Sequence, residues 1–306
     1  MDNEFEKVYE KILNKSGSDL REMRRKKNRY FAWGFLIAVL LDFLSILIFK
    51  DSIIPTLTII ITGVVVLLMY YKADKDYRKT YKKAVIEEII KSYDENLEFN
   101  PDEGLTDYDY SASSFDKDFK ETVSEDKVYG KILEDTDFKM AQIISYSDRE
   151  YRDNDGNTQK EKVKTFDGMY GVVRMEVDSG NTIHIKEAES TFDARIARMT
   201  RKKVEMDSQE FENYYDLYSD NRMQAYKIFT PDILLDFVDL PKRNMTHFEV
   251  KIENDMFYFR YRCGEVFEPP KFKDPLDKET MHKYYNTIVF PIDLTKKIVK
   301  NIYDYT

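Results

Sequence analysis

Two apolar runs, Tyr30 to Phe49 and Ile53 to Tyr71, are separated only by Lys50-Asp51-Ser52. A bilayer-spanning helix needs about 20 mostly apolar residues to cover about 30 Å of hydrocarbon, and both runs come close to that length. The pattern predicts a transmembrane helical hairpin over 30–71, with a turn too short to form a domain. Upstream, Phe5, Val8, Tyr9, Ile12 and Leu13 recur at the spacing of an amphipathic helix, and Ser16-Gly17-Ser18-Asp19 predicts its end. Ser18 or Asp19 then caps a new helix that runs into the membrane. The first helix reads as docked on the chain's own soluble domain, the alternative being a helix lying on the membrane or on a partner. Downstream, Tyr77, Tyr81, Val85, Ile89 and Tyr93 continue the helical spacing as a stalk over 72–100, which Asn100-Pro101-Asp102-Glu103-Gly104 ends.

After a polar, poorly periodic stretch from Leu105 to Asp126, anchored by Phe115 and Phe119, the period shortens. Val128 to Leu133, Met140 to Tyr146, Val163 to Val177 and Thr182 to Ile185 read as strands. Asp153-Asn154-Asp155-Gly156-Asn157 and Asp178-Ser179-Gly180-Asn181 read as hairpin turns between them. Gln209 to Tyr218 is aromatic and acidic at helical spacing. Thr230-Pro231 opens a firmer helix, with threonine as N-cap and Ile233, Leu234, Phe237 and Val238 as its apolar face. Phe248 to Ile252 and Met256 to Tyr261 form another hairpin across Glu253-Asn254-Asp255. Pro269-Pro270 begins an extended linker, and helical segments Lys278 to Ile288 and Asp293 to Tyr303 follow, divided by Pro291. The fold class is α+β: an N-terminal two-helix transmembrane hairpin followed by a cytosolic domain, 101–306, with an antiparallel β-sheet and packed helices.

Charge sets the orientation. Arg21, Arg24, Arg25, Lys26, Lys27 and Arg29 precede the hairpin, and Lys72, Lys75, Arg78, Lys79, Lys82 and Lys83 follow it, a basic collar at the membrane surface. Basic flanks stay on the cytoplasmic side, which predicts a multi-pass cell-membrane protein with both termini cytoplasmic. Tyr30, Trp33, Tyr70 and Tyr71 fall at that interface. A cleavable signal peptide has its apolar core near residue one, whereas here the first run begins at residue 30. Of the net charge of −9, residues 1–29 carry +3, 72–83 carry +4 and 30–71 carry −1, which leaves −15 for residues 84–306. So acidic a domain repels nucleic acid and disfavours it as a partner. One cysteine, Cys263, excludes an intramolecular disulfide, as suits a cytosolic domain, where Asn14 and Asn244 also stay unglycosylated.

The segment Phe211, Tyr214, Tyr218-Ser219-Asp220, Ala225 and Thr230-Pro231, with Phe166-Asp167-Gly168 upstream, resembles a family of bacterial membrane proteins known as a domain of unknown function (family 3137). The order of parts fits from the hairpin to about Tyr261. The resemblance implies the hairpin and a cytosolic α+β domain. It brings no activity and no catalytic residues.

Chemical motifs are scarce. Asp153 to Lys162 alternates Asp153, Asp155 and Asn157, but setting Gly156 sixth in a calcium loop puts Tyr151 first and Lys162 last, where acids are required. His184, His247 and His282 sit in no zinc spacing, and no histidine or helix start is tied to Cys263. Glycine-rich phosphate loops, dinucleotide fingerprints and Gly-x-Ser-x-Gly elbows are absent, so neither a cofactor nor a metal is expected. Asp42 stands apart, because a carboxylate near mid-bilayer is costly and invites a functional reading. Thr62 lies at similar depth on the second helix. Their bond alone does not offset the aspartate, so Asp42 is expected to be protonated or to have a partner in another chain. These features describe a membrane-tethered cytosolic binding or scaffold module of unknown ligand, with a protein partner or self-association. The alternatives are an accessory subunit of a membrane transporter or complex acting through the hairpin, or an enzyme with an unrecognised site on a membrane-derived substrate.

Overall fold

The structure is a computed structural model that describes residues 2–49, 53–116, 118–133, 135–152, 157–188, 203–243, 245–264, 266–271 and 273–305. The Lys50-Asp51-Ser52 turn, most of the Asp153 to Asn157 turn and Asn244 lie outside them. The chain divides into two compact units, one of residues 1–88 with 267–281 and one of residues 89–266 with 282–306.

The first unit is helical. Helix α1 (Asp2–Ile48) runs without the break expected at Ser16 to Asp19, and no second helix is capped there. Glycine inside a helix costs about 1 kcal/mol, but a Cβ on Gly17 would come within 3.3 Å of both Leu13 and Leu276, so its bareness lets Leu276 pack. The face of Phe5, Val8, Ile12 and Leu20 is buried. The Tyr9 hydroxyl donates to the Leu276 carbonyl at 3.0 Å, and Lys11 and Lys15 both reach Glu88 at 2.7 Å. The N-terminal helix is thus docked on the chain itself. Helix α2 (Ile54–Tyr81) continues through a π-helical turn (Lys82–Ile86) into α3 (Glu87–Tyr93), burying Tyr77, Tyr81, Val85 and Ile89. The helix ends at Tyr93, short of the expected stalk boundary.

Both α1 and the α2–α3 helix are long and apolar enough to cross a membrane. In their most apolar stretches only 6% and 0% of positions are buried, whereas the core helix of a soluble protein is mostly buried. The positions that turn inward include the small or polar Gly34, Ala38, Asp42 and Ser45 on α1 and Thr58 and Thr62 on α2, with Val66 beside Gly34. Small residues at such a seam let two backbones approach.

Among the described residues, the second unit forms an antiparallel nine-stranded sheet in the order β1-β2-β3-β4-β9-β8-β5-β7-β6. Its strands are β1 (Leu97–Asn100), β2 (Glu121–Ile132), β3 (Thr136–Arg152), β4 (Thr158–Arg174), β5 (Ile183–Glu187), β6 (Lys203–Val204), β7 (Tyr215–Ser219), β8 (Thr246–Glu253) and β9 (Met256–Arg262). The helices are α4 (Asp107–Ser113), α5 (Gln209–Tyr214), α6 (Arg222–Ile228), α7 (Pro231–Asp239) and α8 (Lys278–Tyr305), whose first residues, 278–281, lie in the first unit. The α+β class stands, and three local expectations do not. Asp178 to Asn181 is not a hairpin turn, because β9 and β8 lie between β4 and β5. Gln209 to Tyr218 is helical only to Tyr214, after which Tyr215–Ser219 is drawn into the sheet between β5 and β6. Pro291 does not divide the last helix. The carbonyl it leaves without a donor, that of Thr287, accepts the buried Tyr261 hydroxyl at 2.8 Å.

Strand alternation splits the sheet into two faces. One carries Phe248, Phe257, Phe259 and Tyr261, with Phe237 of α7 set edge-on to Phe248 and α8 reached through Tyr261. On the other, α4 covers a cluster of Leu105, Tyr110, Ala141, Ile143, Phe166, Tyr170, Val172 and Tyr258, against which Phe115 and Phe119 pack. That cover stops at β9.

Candidate functional site: a polar groove on the open half of the sheet

Beyond the edge of α4, the second face forms a groove of about 1120 Å³ across β4, β9, β8, β5 and β7. Its floor comes from residues two apart on neighbouring strands: Arg260 and Arg262 on β9, Glu249 and Lys251 on β8, His184 and Lys186 on β5. Register pairs Glu249 with Arg260, His184 with Lys251 and with Tyr218, and Lys186 with Asp216.

One wall is built by α4. Thr106 and Asp109 form a reciprocal capping box at its start, and Ser114 in the left-handed region ends it, turning the chain so that Phe115 comes down on the sheet. The Arg260 guanidinium lies between Phe115 and Phe166, 4.9 and 5.1 Å from their centroids. It donates through Nε and Nη2 to Glu249 Oε2, both at 2.7 Å, and through Nη1 to the Tyr110 hydroxyl at 3.2 Å. Glu249 Oε1 lies 2.7 Å from His184 Nε2. Burial disfavours the charged form of Glu249, but the His184 hydrogen bond and the charge of Arg260 outweigh it and hold the carboxyl below its ordinary value. Asp116 accepts from Thr165 Oγ1 at 2.6 Å and Ser145 Oγ at 3.0 Å, which pins the Phe115 turn to β3 and β4. At the far side Lys203 joins Glu212 and Asp216, each at 2.8 Å. His247, at φ 52°, is held by Glu187 through Nδ1 at 2.7 Å and its own N–H at 2.9 Å. This arrangement presents fixed charges and aromatic walls to a ligand, with His184 oriented by a half-buried carboxylate.

The fold brings His184 and His247 to one groove, although the sequence set them apart; His282 lies on α8 beside Asn286. The available signal was the repeated pair of charged or imidazole side chains two apart on three strands. Cys263 is buried, and burial pushes its thiol up to about 12. In the first unit Thr62 Oγ1 lies 3.0 and 3.2 Å from the Asp42 carboxylate oxygens, and Thr58 Oγ1 lies 3.0 Å from Ser45 Oγ. Much of the collar is occupied: Arg21 pairs with Asp274, Lys27 and Arg78 with Asp74, and Lys82 with Glu268. Arg24 donates to the carbonyls of Lys271 and Lys273. Arg25, Arg29, Lys72, Lys75 and Lys83 are exposed and carry no ion pair among the described residues.

The model of a family described as "Protein of unknown function (DUF3137)" matches residues 164–300, the family that the sequence resembles. The matched segment holds the groove-lining residues of β4, β5, β7, β8 and β9 and neither apolar helix. No curated protein matches. Among solved structures, the crystal structure of the mycobacterial trehalose monomycolate transport factor A, TtfA, aligns over 70% of this chain and 93% of that chain, at 10% identity and a TM-score of 0.32, too slight a likeness to carry an argument.

Proposed function

We propose that this chain is a membrane-tethered binding module whose ligand sits in the groove on the sheet. The observation that carries the reading is the His184–Glu249–Arg260 network. Even a well-buried ion pair is weak evidence for stability, since apolar packing does as well, so three half-buried polar groups pre-set on the floor of an open groove argue for recognition. The apolar helices supply the tether as a hairpin across the bilayer with both termini cytoplasmic. Support comes from their unburied apolar surface and from the basic residues at both flanks. A cysteine placed at Ser52 is then labelled from outside intact cells by an impermeant reagent, and one at Ser18 is not; labelling at Ser18 rejects the topology.

The groove is tested by native mass spectrometry of the full chain extracted from the cells that make it. A bound adduct that Thr182→Trp removes, with folding intact by circular dichroism, supports the reading, and an unchanged adduct pattern refutes it. A second reading, an accessory subunit acting through the hairpin, is favoured by Asp42. A hydrogen bond between membrane helices averages about 0.6 kcal/mol, against about 2.5 to 3.5 kcal/mol for inserting a central aspartate. Thr62 does not offset that cost, which leaves room for a partner in another chain. Loss of a co-purifying partner in Asp42→Leu supports this reading, and full retention removes it.

A further inference from the structure

We propose that the groove ligand is an organic anion whose carboxylate or phosphoryl oxygens seat on Arg262. The proposal rests on the groove being the binding site and adds the chemical class of what it takes.

The groove is lined by Lys186, Lys251, Arg260 and Arg262 against Glu187, Asp220 and Glu249. The net charge of the whole chain is −9, so this local excess of cations runs against the molecule's average. Most of the groove's positive charge is spent internally. Arg260 is committed to Glu249, the Tyr110 hydroxyl and the Phe115 carbonyl, and Lys251 lies 2.7 Å from Glu253. Arg262 differs. It is exposed, its Nη2 donates to the backbone carbonyl of Thr165 at 3.2 Å, and no carboxylate pairs with it among the described residues.

One N–H tied to a carbonyl holds the guanidinium near the groove while the other donors stay available. A planar fork of donors matches the paired oxygens of a carboxylate or a phosphoryl group. The Phe166 ring, 6.0 Å from the same guanidinium, gives the flat or aliphatic part of such a ligand an apolar wall. Because Arg260 and Glu249 neutralise each other on the floor, a neutral ligand gains at most a hydrogen bond from Arg262, whereas an anion gains a charge-assisted pair.

The test uses the full chain in nanodiscs of zwitterionic phosphatidylcholine, with empty nanodiscs subtracted. Three probes are titrated by ¹⁹F line broadening: 4-(trifluoromethyl)benzoate, 4-(trifluoromethyl)phenyl phosphate and the neutral 4-(trifluoromethyl)benzamide. Both acids are expected to bind saturably and at least about fivefold more tightly than the amide. Arg262→Gln should weaken the acids by about five- to tenfold and the amide by less than about twofold. Arg222→Gln, the same charge loss at an exposed position outside the groove, should change nothing. The tighter acid tells a carboxylate ligand from a phosphorylated one. Amide binding as tight as that of the acids, acids indifferent to Arg262→Gln, or no saturable acid binding overturns the proposal. Tight amide binding that Thr182→Trp abolishes keeps the groove and removes the anion; acid binding that Thr182→Trp leaves intact removes both.

Discussion

Tyr261→Phe combined with Pro291→Ala tests how the last helix survives an internal proline. Pro291 has no N–H, so the Thr287 carbonyl one turn earlier loses its helical donor. The Tyr261 hydroxyl, fully buried, takes that place at 2.8 Å. Removing one partner from a buried hydrogen bond costs about 1 to 3 kcal/mol, because the other is left desolvated and unpaired. Tyr261→Phe deletes a single oxygen, adds no strain and leaves the Phe248 stack in place, so this desolvation dominates its effect. Pro291→Ala restores a backbone donor to Thr287, and in that background the tyrosine oxygen has little left to satisfy. Tyr261→Phe is therefore expected to cost about 2 kcal/mol in wild type and under about 0.5 kcal/mol beside Pro291→Ala, a coupling of about 1.5 kcal/mol. Urea denaturation of the full chain in detergent, followed by near-ultraviolet circular dichroism of the buried tyrosines, measures all four corners of the cycle. Equal cost in both backgrounds would falsify the substitution of hydroxyl for amide.

Four further outcomes follow. Thr106→Ala should cost about 1 kcal/mol because its hydroxyl caps α4, whereas Thr230→Ala should cost little, since Thr230 opens α7 without a side-chain bond; both read as shifts in denaturation midpoint. Gly168→Ala should destabilise by about 1 to 3 kcal/mol, as a Cβ there would lie 2.2 Å from the Tyr261 carbonyl oxygen, and a neutral result refutes that packing. Glu249 has its folded value lowered, so its contribution is present above its ordinary value of 4.5 and lost as pH falls through the folded one. The stability gap between wild type and Glu249→Gln should therefore shrink as pH falls below 4.5, and a constant gap counts against the ion pair. Asp42→Leu should enter membranes at least as well as wild type, measured by carbonate extraction, because a costly side chain is removed.

The α+β class, the two long apolar helices and the β8–β9 hairpin were legible because each is a periodicity problem that neighbouring residues solve. The merging of segments was not. Gly17 reads locally as a break and becomes helix interior once Leu276, far along the chain, needs the space its missing side chain leaves. Pro291 reads as a divider until Tyr261 supplies the donor. Thr230 has the right identity and position for a cap, yet its hydroxyl makes no cap bond. The groove was hidden for a similar reason: strand order places β5 beside β8 and β7, and no pattern within His184 to Lys186 announces Glu249 as a neighbour.

The edges of the nine-stranded sheet decide how the molecule behaves at high local concentration. An open sheet ends in rows of unpaired amides and carbonyls that recruit strands from other copies. Here one border strand, β6, is two residues long, and the other, β1, is four. Past the end of β1 the exposed flank of β2 is already taken: Lys127 N–H donates to the Glu103 carbonyl, and Thr122 N–H to the Asp107 carboxylate at 2.9 Å. A bulge between Glu125 and Val128, with Asp126 at φ 61°, bends the strand out of a flat template. Among the described residues, copies crowded together therefore find only a short and interrupted edge on which to add a strand along this flank.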